Sequence, residues 1–165
     1  MAVVLSRRLR DGELGAIVGW APVAMAAYGL AQRSGRWTSW LALPAGAFDP
    51  RSDRLMDGAD ERLLPTASAV LDLAEVLDAV TVTPHFLDVA ILAPLQVDRF
   101  GNVNTVCRGD PARPSLRGPG TLLTSALAGL SRRFMIVLDR HDPETLLERL
   151  DFCSGTGHHR GGRTR

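Results

Sequence analysis

Short apolar runs separated by polar breaks extend along the 165-residue chain, and their spacing alternates between two periods. Brief apolar runs flanked by Gly or Pro are typical of buried strands, whereas apolar residues three or four positions apart indicate helices. Strands are predicted at residues 15–18, 37–43, 88–92, 103–106 and 133–138, with a last short one at 152–153, and helices at 23–32, 67–80, 121–130 and 143–150. The alternation predicts an α/β fold, with a mostly parallel sheet flanked by helices and right-handed crossovers.

Polar breaks in this pattern predict the turns and loops. Residues 19–22 are expected to form a tight turn, with Pro22 at the start of the next helix, where its missing N–H is harmless. Pro44 is expected to end the second strand. Residues 49–60 and 108–121 are predicted as surface loops, and the latter segment holds three prolines and three glycines.

Composition and charge narrow the class of protein. Hydrophobic residues make up 45% of the chain and charged residues 22%, as is usual for a soluble globular protein. The 19 basic and 18 acidic residues nearly cancel, which argues against a nucleic-acid partner. Cys107 and Cys153 lack zinc-type spacing, so we expect two reduced, buried thiols in a cytoplasmic protein without a metal site. We expect one domain over residues 1–157 and a disordered tail over 158–165, which has no apolar residue.

The uncharged segment 14–31 raises the alternative of a signal peptide or a membrane helix, because the basic stretch SRRLR precedes it. Asp11 and Glu13 separate those arginines from the apolar run, and Gly19 and Pro22 interrupt the run itself. A strand, turn and helix fit better, and no membrane partner is expected. A membrane anchor is the less favoured alternative.

Three polar or glycine-rich loops follow predicted strands, and ligands of open α/β sheets bind at the carboxyl ends of strands. The loops are PAGAFDP, QVDRFGNVN and the segment 108–121. Gly118 and Gly120 precede a helix and are candidates to present N–H groups to an anion, although Gly-Pro-Gly is also a common loop sequence. The chain has no GxSxG nucleophile elbow and no P-loop motif, which argues against both enzyme classes.

The stretch QVDRFGNVNT is the most informative of these loops. A hairpin accounts for part of it, since Asp98 can cap its own turn and Gly101 and Asn102 can take a positive φ. A turn does not account for Gln96 and Asn104, which flank it on or near strands. At this point a structural role and a binding role both remain open.

The longer segment ILAPLQVDRFGNVNTVCRGDPARPSLRGPG is similar to the core of the β-type subunit of family I coenzyme A transferases. It resembles in particular the B-type subunit of glutaconate CoA-transferase and the β subunit of the steroid ring-cleaving CoA hydrolase. Those chains share a strand ending in Gln-hydrophobic-Asp, a Gly-Asn-x-Asn turn, a Gly-Asp, a basic loop and a Gly-rich turn. The matching residues here are Gln96, Asp98, Gly101, Asn102, Asn104, Gly109, Asp110, Gly118 and Gly120.

The resemblance implies a fold of the CoA-transferase (NagB/RpiA-like) type, short at its C-terminus, that pairs with a CoA-transferase-like α subunit. It implies an acyl-CoA substrate, with coenzyme A as a substrate moiety and no tightly bound cofactor. The residues that it places at the substrate or CoA site are Gly46, Gln96, Asp98, Asn102, Asn104, Gly118 and Gly120.

One departure from the family bears directly on the chemistry. In the family a Glu at the end of the second strand attacks the thioester and forms a glutamyl-CoA intermediate. Pro44 stands at the matching position, and proline offers no nucleophile, so the catalytic residue is unknown. One hypothesis is a β-like subunit for CoA transfer or CoA-ester ring hydrolysis whose essential carboxylate comes from the partner, the isolated chain being inactive. The alternative is a catalytically degenerate homologue that serves as a binding or scaffolding subunit.

Overall fold

The computed structural model describes residues 1–18, 21–43, 45–51, 54–56 and 58–157. Two compact units emerge from the Cα positions: Met1–Ala93 with Leu130–Val137, and Pro94–Gly129 with Leu138–Arg165. The single domain expected over 1–157 stays a prediction. The expected tail, the Gly19–Pro22 turn in part and Pro44 lie outside the described residues.

The first unit is built on a six-stranded sheet. Its strands are β1 (Leu14–Val18), β2 (Ser39–Ala42), β3 (Ala47–Phe48), β4 (Ala69–Val70), β5 (Val89–Leu92) and β10 (Arg133–Ile136). Their order is β10-β5-β1-β2-β3-β4. The first four strands run parallel to one another, β3 pairs antiparallel with β2, and β4 pairs antiparallel with β3. The mostly parallel sheet of the sequence prediction is therefore confirmed.

Burial along the strands follows their place in this sheet. All four residues of β5 are buried, because the strand pairs with β1 on one side and β10 on the other. The sequence predicts a buried strand at β10 as well, but β10 is half-buried throughout, since it lies at the edge of the sheet.

Among the described residues of this unit, three α-helices accompany the sheet: α1 (Ala2–Ser6), α2 (Pro22–Arg33) and α3 (Leu73–Thr81). Helix α2 confirms the predicted helix, with Pro22 in its first turn. Helix α3 begins later than the predicted residue 67. Asp72 and Glu75 form a capping box that fixes its start, and the residues before them pair as β4. The apolar pattern does not predict the 3₁₀ helix that spans Glu61–Thr66.

The core of the first unit contains one close approach that only glycine permits. A Cβ atom on Gly15 would lie 1.5 Å from the Tyr28 hydroxyl oxygen. The Tyr28 ring stacks on Trp40 with the ring centroids 5.8 Å apart. Its hydroxyl group is buried without a hydrogen-bond partner in the described part of the chain, and this burial raises the pKa of Tyr28.

The described part of the second unit contains a three-stranded sheet, a two-stranded ribbon and one helix. Strands β6 (Gln96–Asp98), β7 (Val103–Asn104) and β11 (Leu146–Leu147) form the sheet in the order β11-β6-β7. Strands β8 (Cys107–Arg108) and β9 (Leu116–Arg117) form the antiparallel ribbon, and helix α4 spans Thr124–Leu130.

Three local predictions in this unit are wrong. Residues 143–150 form no helix, because Asp142 caps a turn by accepting bonds from the N–H groups of Glu144 and Thr145, and β11 then pairs in parallel with β6. The predicted loop 108–121 contains the ribbon. Residues 152–153 form no strand, and an isolated bridge joins Val103 to Gly155 just after them.

The two cysteines differ in exposure, and the described helices are too short or too polar to resemble the membrane helix considered above. Both cysteines are free, but only Cys107 is buried, and Cys153 is exposed. Among the described residues there is no helix with the length and hydrophobicity needed to span a bilayer.

Candidate functional site

The hairpin between β6 and β7 is closed by the side chain of Asp98. One carboxylate oxygen accepts from the N–H groups of Phe100 (2.9 Å) and Asn102 (3.0 Å), and the other accepts from Asn102 Nδ2 (2.7 Å). Gly101 takes a φ of +76°, whereas Asn102 does not take the positive φ that its residue type permits. The predicted turn between the two strands is confirmed, with Asp98 as its cap.

The far side of Asn102 ties the hairpin to the end of the described chain. Its Oδ1 accepts a 2.9 Å hydrogen bond from the N–H group of Gly157. A Cβ atom on Gly157 would lie 2.3 Å from the carbonyl oxygen of Phe100, so only glycine fits against this turn. Asn102 therefore serves two contacts at once, inside the turn and across to a distant segment.

Gln96 and Asn104 face each other across the hairpin and are almost fully buried, with exposed fractions of 2% and 0%. Asn104 Nδ2 donates to Gln96 Oε1 (2.6 Å) and to the carbonyl oxygen of Cys107 (2.6 Å). Asn104 Oδ1 accepts from the N–H groups of Val106 (2.9 Å) and Cys107 (3.3 Å). All the hydrogen-bonding groups of the Asn104 side chain are thus used inside the protein.

Asp151 completes this cluster, and no motif or spacing in the sequence selects it. Gln96 Nε2 donates to Asp151 Oδ2 (2.6 Å), and the same oxygen accepts from the N–H group of Gly109 (2.8 Å). The N–H group of Asp151 donates back to Gln96 Oε1 (3.2 Å). The bond from Gly109, followed by that from Gln96, lowers the pKa of Asp151. We call Gln96, Asn104 and Asp151 the amide–carboxylate network.

The Gly-rich turn before α4 packs against the residues that follow β7. A Cβ atom on Gly118 would lie 2.3 Å from the carbonyl oxygen of Thr105. The N–H groups of Gly118 and Gly120 donate to the carbonyl oxygens of Val106 and Thr105. Thr105 Oγ1 in turn donates to the carbonyl oxygen of Gly120 (2.7 Å). Both glycine N–H groups are already used here, and their anion-binding role stays a prediction.

Gly46 belongs to the first unit, whereas the other six predicted site residues belong to the second. It takes a φ of +68°, and a Cβ atom there would lie 2.1 Å from the carbonyl oxygen of Leu71. Its N–H group donates to the carbonyl oxygen of Ala42 at the end of β2 (2.9 Å). A tight turn therefore follows the second strand, in agreement with the sequence, and the position that bears the family's Glu lies outside the described residues.

The second unit also holds charges close to the network. Arg108 donates to a carboxylate oxygen of Glu144 at 2.8 Å, and its Nε is buried without a partner among the described residues. The described residues contain no group of three or more His, Cys, Asp or Glu side chains placed to hold a metal ion.

The fold is of the coenzyme A transferase type, as solved structures show. The chain superposes on glutaconate coenzyme A-transferase from Acidaminococcus fermentans with a TM-score of 0.80, at 18% identity, over 95% of this chain and 60% of that one. It superposes on the decarboxylase AibA/AibB with a TM-score of 0.83, at 22% identity, over 96% of this chain and 66% of that one.

A curated relative narrows the resemblance to one type of subunit. The chain is 29% identical over 171 aligned positions to the B-type subunit of 3-oxoadipate CoA-transferase from Pseudomonas knackmussii. The alignment covers 98% of this chain and 61% of that relative, so the chain spans about three fifths of its length. No protein-family model matches the chain. The solved structures and this relative together confirm the resemblance to family I CoA-transferase β-type subunits.

Proposed function

We propose that this chain is a β-like subunit of a heteromeric CoA-transferase-family enzyme that acts on acyl-CoA thioesters in the cytoplasm. Coenzyme A enters as part of the substrate, with no tightly bound cofactor. The partner is a CoA-transferase-like α subunit. The reaction is CoA transfer or CoA-ester ring hydrolysis, and the essential carboxylate comes from the partner.

The observation that carries this proposal is the amide–carboxylate network. Its residues Gln96 and Asn104 belong to the motif that resembles the family, and both side chains are buried and hydrogen-bonded within the protein. Burying two amides and tying them to a carboxylate is unfavourable unless their bonds are made, so the arrangement requires this set of side chains. The network fixes the hairpin, the start of the ribbon and the Asp151 segment together.

The internal hydrogen bonds of the predicted site residues support a positioning role in the proposal. Asp98 makes its side-chain hydrogen bonds within the hairpin, whereas Gln96, Asn102 and Asn104 also bond to the Asp151 segment, Gly157 and the start of the ribbon. In this proposal they hold or line the acyl-CoA site by positioning its loops. Gly118 and Gly120 allow the close packing of the turn on Thr105.

The partner is assigned the carboxylate because of Pro44. A proline side chain can neither attack a thioester nor move a proton, so the glutamyl-CoA route needs a residue from elsewhere. This consideration favours the ring-hydrolase branch of the resemblance over simple CoA transfer.

The test is acyl-CoA turnover by three purified samples: this chain, an α-type partner encoded by a neighbouring gene, and the two coexpressed. Release or exchange of CoA is followed with linear and ring-containing acyl-CoA esters. We expect turnover only in the coexpressed sample. Turnover by this chain alone would show that it carries its own catalytic group, against the proposal.

The degenerate-homologue alternative is favoured by the same Pro44 and makes a different prediction. A scaffolding subunit would form a stable complex with its partner that consumes no acyl-CoA ester, or would leave the partner's own activity unchanged. Size-exclusion chromatography together with the turnover assay separates the two functions.

A further inference from the structure

The tip and the second strand of the β8–β9 ribbon form an exposed arm. Residues 109–113 and 115–117 are all exposed at its tip and along its second strand. Gly109 takes a φ of +80°, and the N–H group of Ser115 closes the ribbon on the carbonyl oxygen of Arg108 (3.0 Å). Pro111 and Pro114 fix their own φ angles in the tip, which leaves little freedom to lose when a ligand binds.

The base of the ribbon is held by the amide–carboxylate network. Asn104 Nδ2 donates to the carbonyl oxygen of Cys107, and Asp151 accepts from the N–H group of Gly109. The network therefore bonds to both residues that flank Arg108. The polar groups of the network bond within the protein, so its part in ligand binding is to hold the ribbon in place.

The charges on the ribbon divide into engaged and available groups. Arg108 pairs with Glu144, and Asp110 Oδ1 accepts from the N–H group of Ala112 (2.9 Å). Arg117 has one long contact, from its guanidinium to the carbonyl oxygen of Pro111 (3.4 Å). Arg113 has no side-chain partner among the residues that the structure describes. Two exposed guanidinium groups on one rigid arm are thus available to an anion.

We propose that Arg113 and Arg117 bind the phosphate groups of the coenzyme A moiety. This inference rests on the proposed function, which supplies the CoA thioester as ligand. A guanidinium group presents paired N–H donors that match phosphate oxygens, and charge-assisted bonds of this kind are among the strongest hydrogen bonds. Coenzyme A carries a 3′-phosphate and a diphosphate, whereas its pantetheine portion carries none, so the ribbon distinguishes CoA from pantetheine.

The test compares CoA and pantetheine as ligands of the coexpressed complex by isothermal titration calorimetry. The variants are Arg113→Gln, Arg117→Gln and the double variant. The matched control is Arg33→Gln, an exposed arginine at the end of α2 in the other unit. Each ribbon substitution is expected to weaken CoA binding about tenfold, and the double variant about a hundredfold. Pantetheine binding and the control variant should be unchanged, and circular dichroism checks that every variant is folded.

Turnover measured on the same samples separates this inference from the proposed function. If the wild-type complex turns over the ester and binds CoA, but the double variant binds CoA as tightly as wild type, the ribbon assignment alone is overturned. Equal losses for CoA and pantetheine also overturn it, because the arginines would then act through the fold. Variant-sensitive CoA binding without turnover supports the ribbon and favours the scaffolding alternative. If the wild-type complex shows neither CoA binding nor turnover, both the ribbon assignment and the proposed function are overturned.

Discussion

Asn104 is the residue on which the amide–carboxylate network depends most. Replacing it with Ala removes four hydrogen bonds and leaves the N–H groups of Val106 and Cys107 and the carbonyl oxygen of Cys107 without their side-chain partner. An unsatisfied buried group costs about 1 kcal/mol or more, so we expect a loss of about 3 kcal/mol in the free energy of unfolding.

The nearly isosteric substitution Asn104→Asp is the sharper test. It replaces the Nδ2 donor by an oxygen that faces two acceptors, Gln96 Oε1 and the carbonyl oxygen of Cys107. At pH 7 we expect it to destabilise more than Asn104→Ala. Burial and the facing acceptors raise the pKa of the new carboxyl group in the folded state. Relative to wild type, this variant is therefore most stable below the unfolded carboxyl pKa of about 3.9, and that relative stability is lost as the pH rises through the raised folded pKa.

Urea unfolding monitored by circular dichroism measures both losses, relative to wild type at each pH. Hydrogen exchange with mass spectrometry over residues 106–109 then shows whether the ribbon base opens first. Val82→Ala serves as the control, because that side chain is 69% exposed and should change stability by less than about 0.5 kcal/mol. If Asn104→Asp is as stable as wild type at pH 7, or equally destabilised at pH 3, the network reasoning is refuted.

Two further predictions concern other parts of the chain. Tyr28→Phe removes a buried hydroxyl group without a partner, so it should stabilise the fold by about 1 kcal/mol and raise the midpoint of thermal unfolding. Gly15→Ala drives a methyl group into that hydroxyl group and should destabilise the fold by about 1–3 kcal/mol. A lower midpoint for Tyr28→Phe would contradict the first of these predictions. The lowered pKa of Asp151 means that its contribution is present above the unfolded pKa of an aspartate and is lost as the pH falls through the lower folded value, so exchange protection of the Gly109 amide should fall in acid. In Asp151→Asn that acid dependence should disappear, and its persistence would assign the effect to another group.

Local signals in the sequence predict the parts of the fold that local chemistry decides. The apolar run of β5 predicts a central strand, and Asp98 and Gly101 predict the hairpin, because turn residues act on their own backbone. The start of α3 is placed too early by the apolar spacing from residue 67, although Asp72 and Glu75 carry the signal of the true start in their capping box.

Contacts between distant segments account for what the sequence could not predict. Strand β11 exists through its parallel pairing with β6, and neither its length nor its composition reveals that partner. Asp151 lies 55 residues from Gln96, with which it shares two hydrogen bonds, and a single aspartate has no spacing that would select it. The sequence selects the polar residues of the hairpin, but their occupation by internal bonds is visible only in the folded chain.

One measurement tests the central claim that this chain supplies the framework and its partner the reacting carboxylate. The coexpressed complex is incubated with an acyl-CoA ester, treated with borohydride to reduce any enzyme-bound thioester to an alcohol with release of CoA, and analysed by mass spectrometry of each chain. We predict that the ester is consumed while the mass of this chain stays unchanged. Conversion of any side-chain carboxyl group of this chain to the corresponding alcohol would contradict the claim.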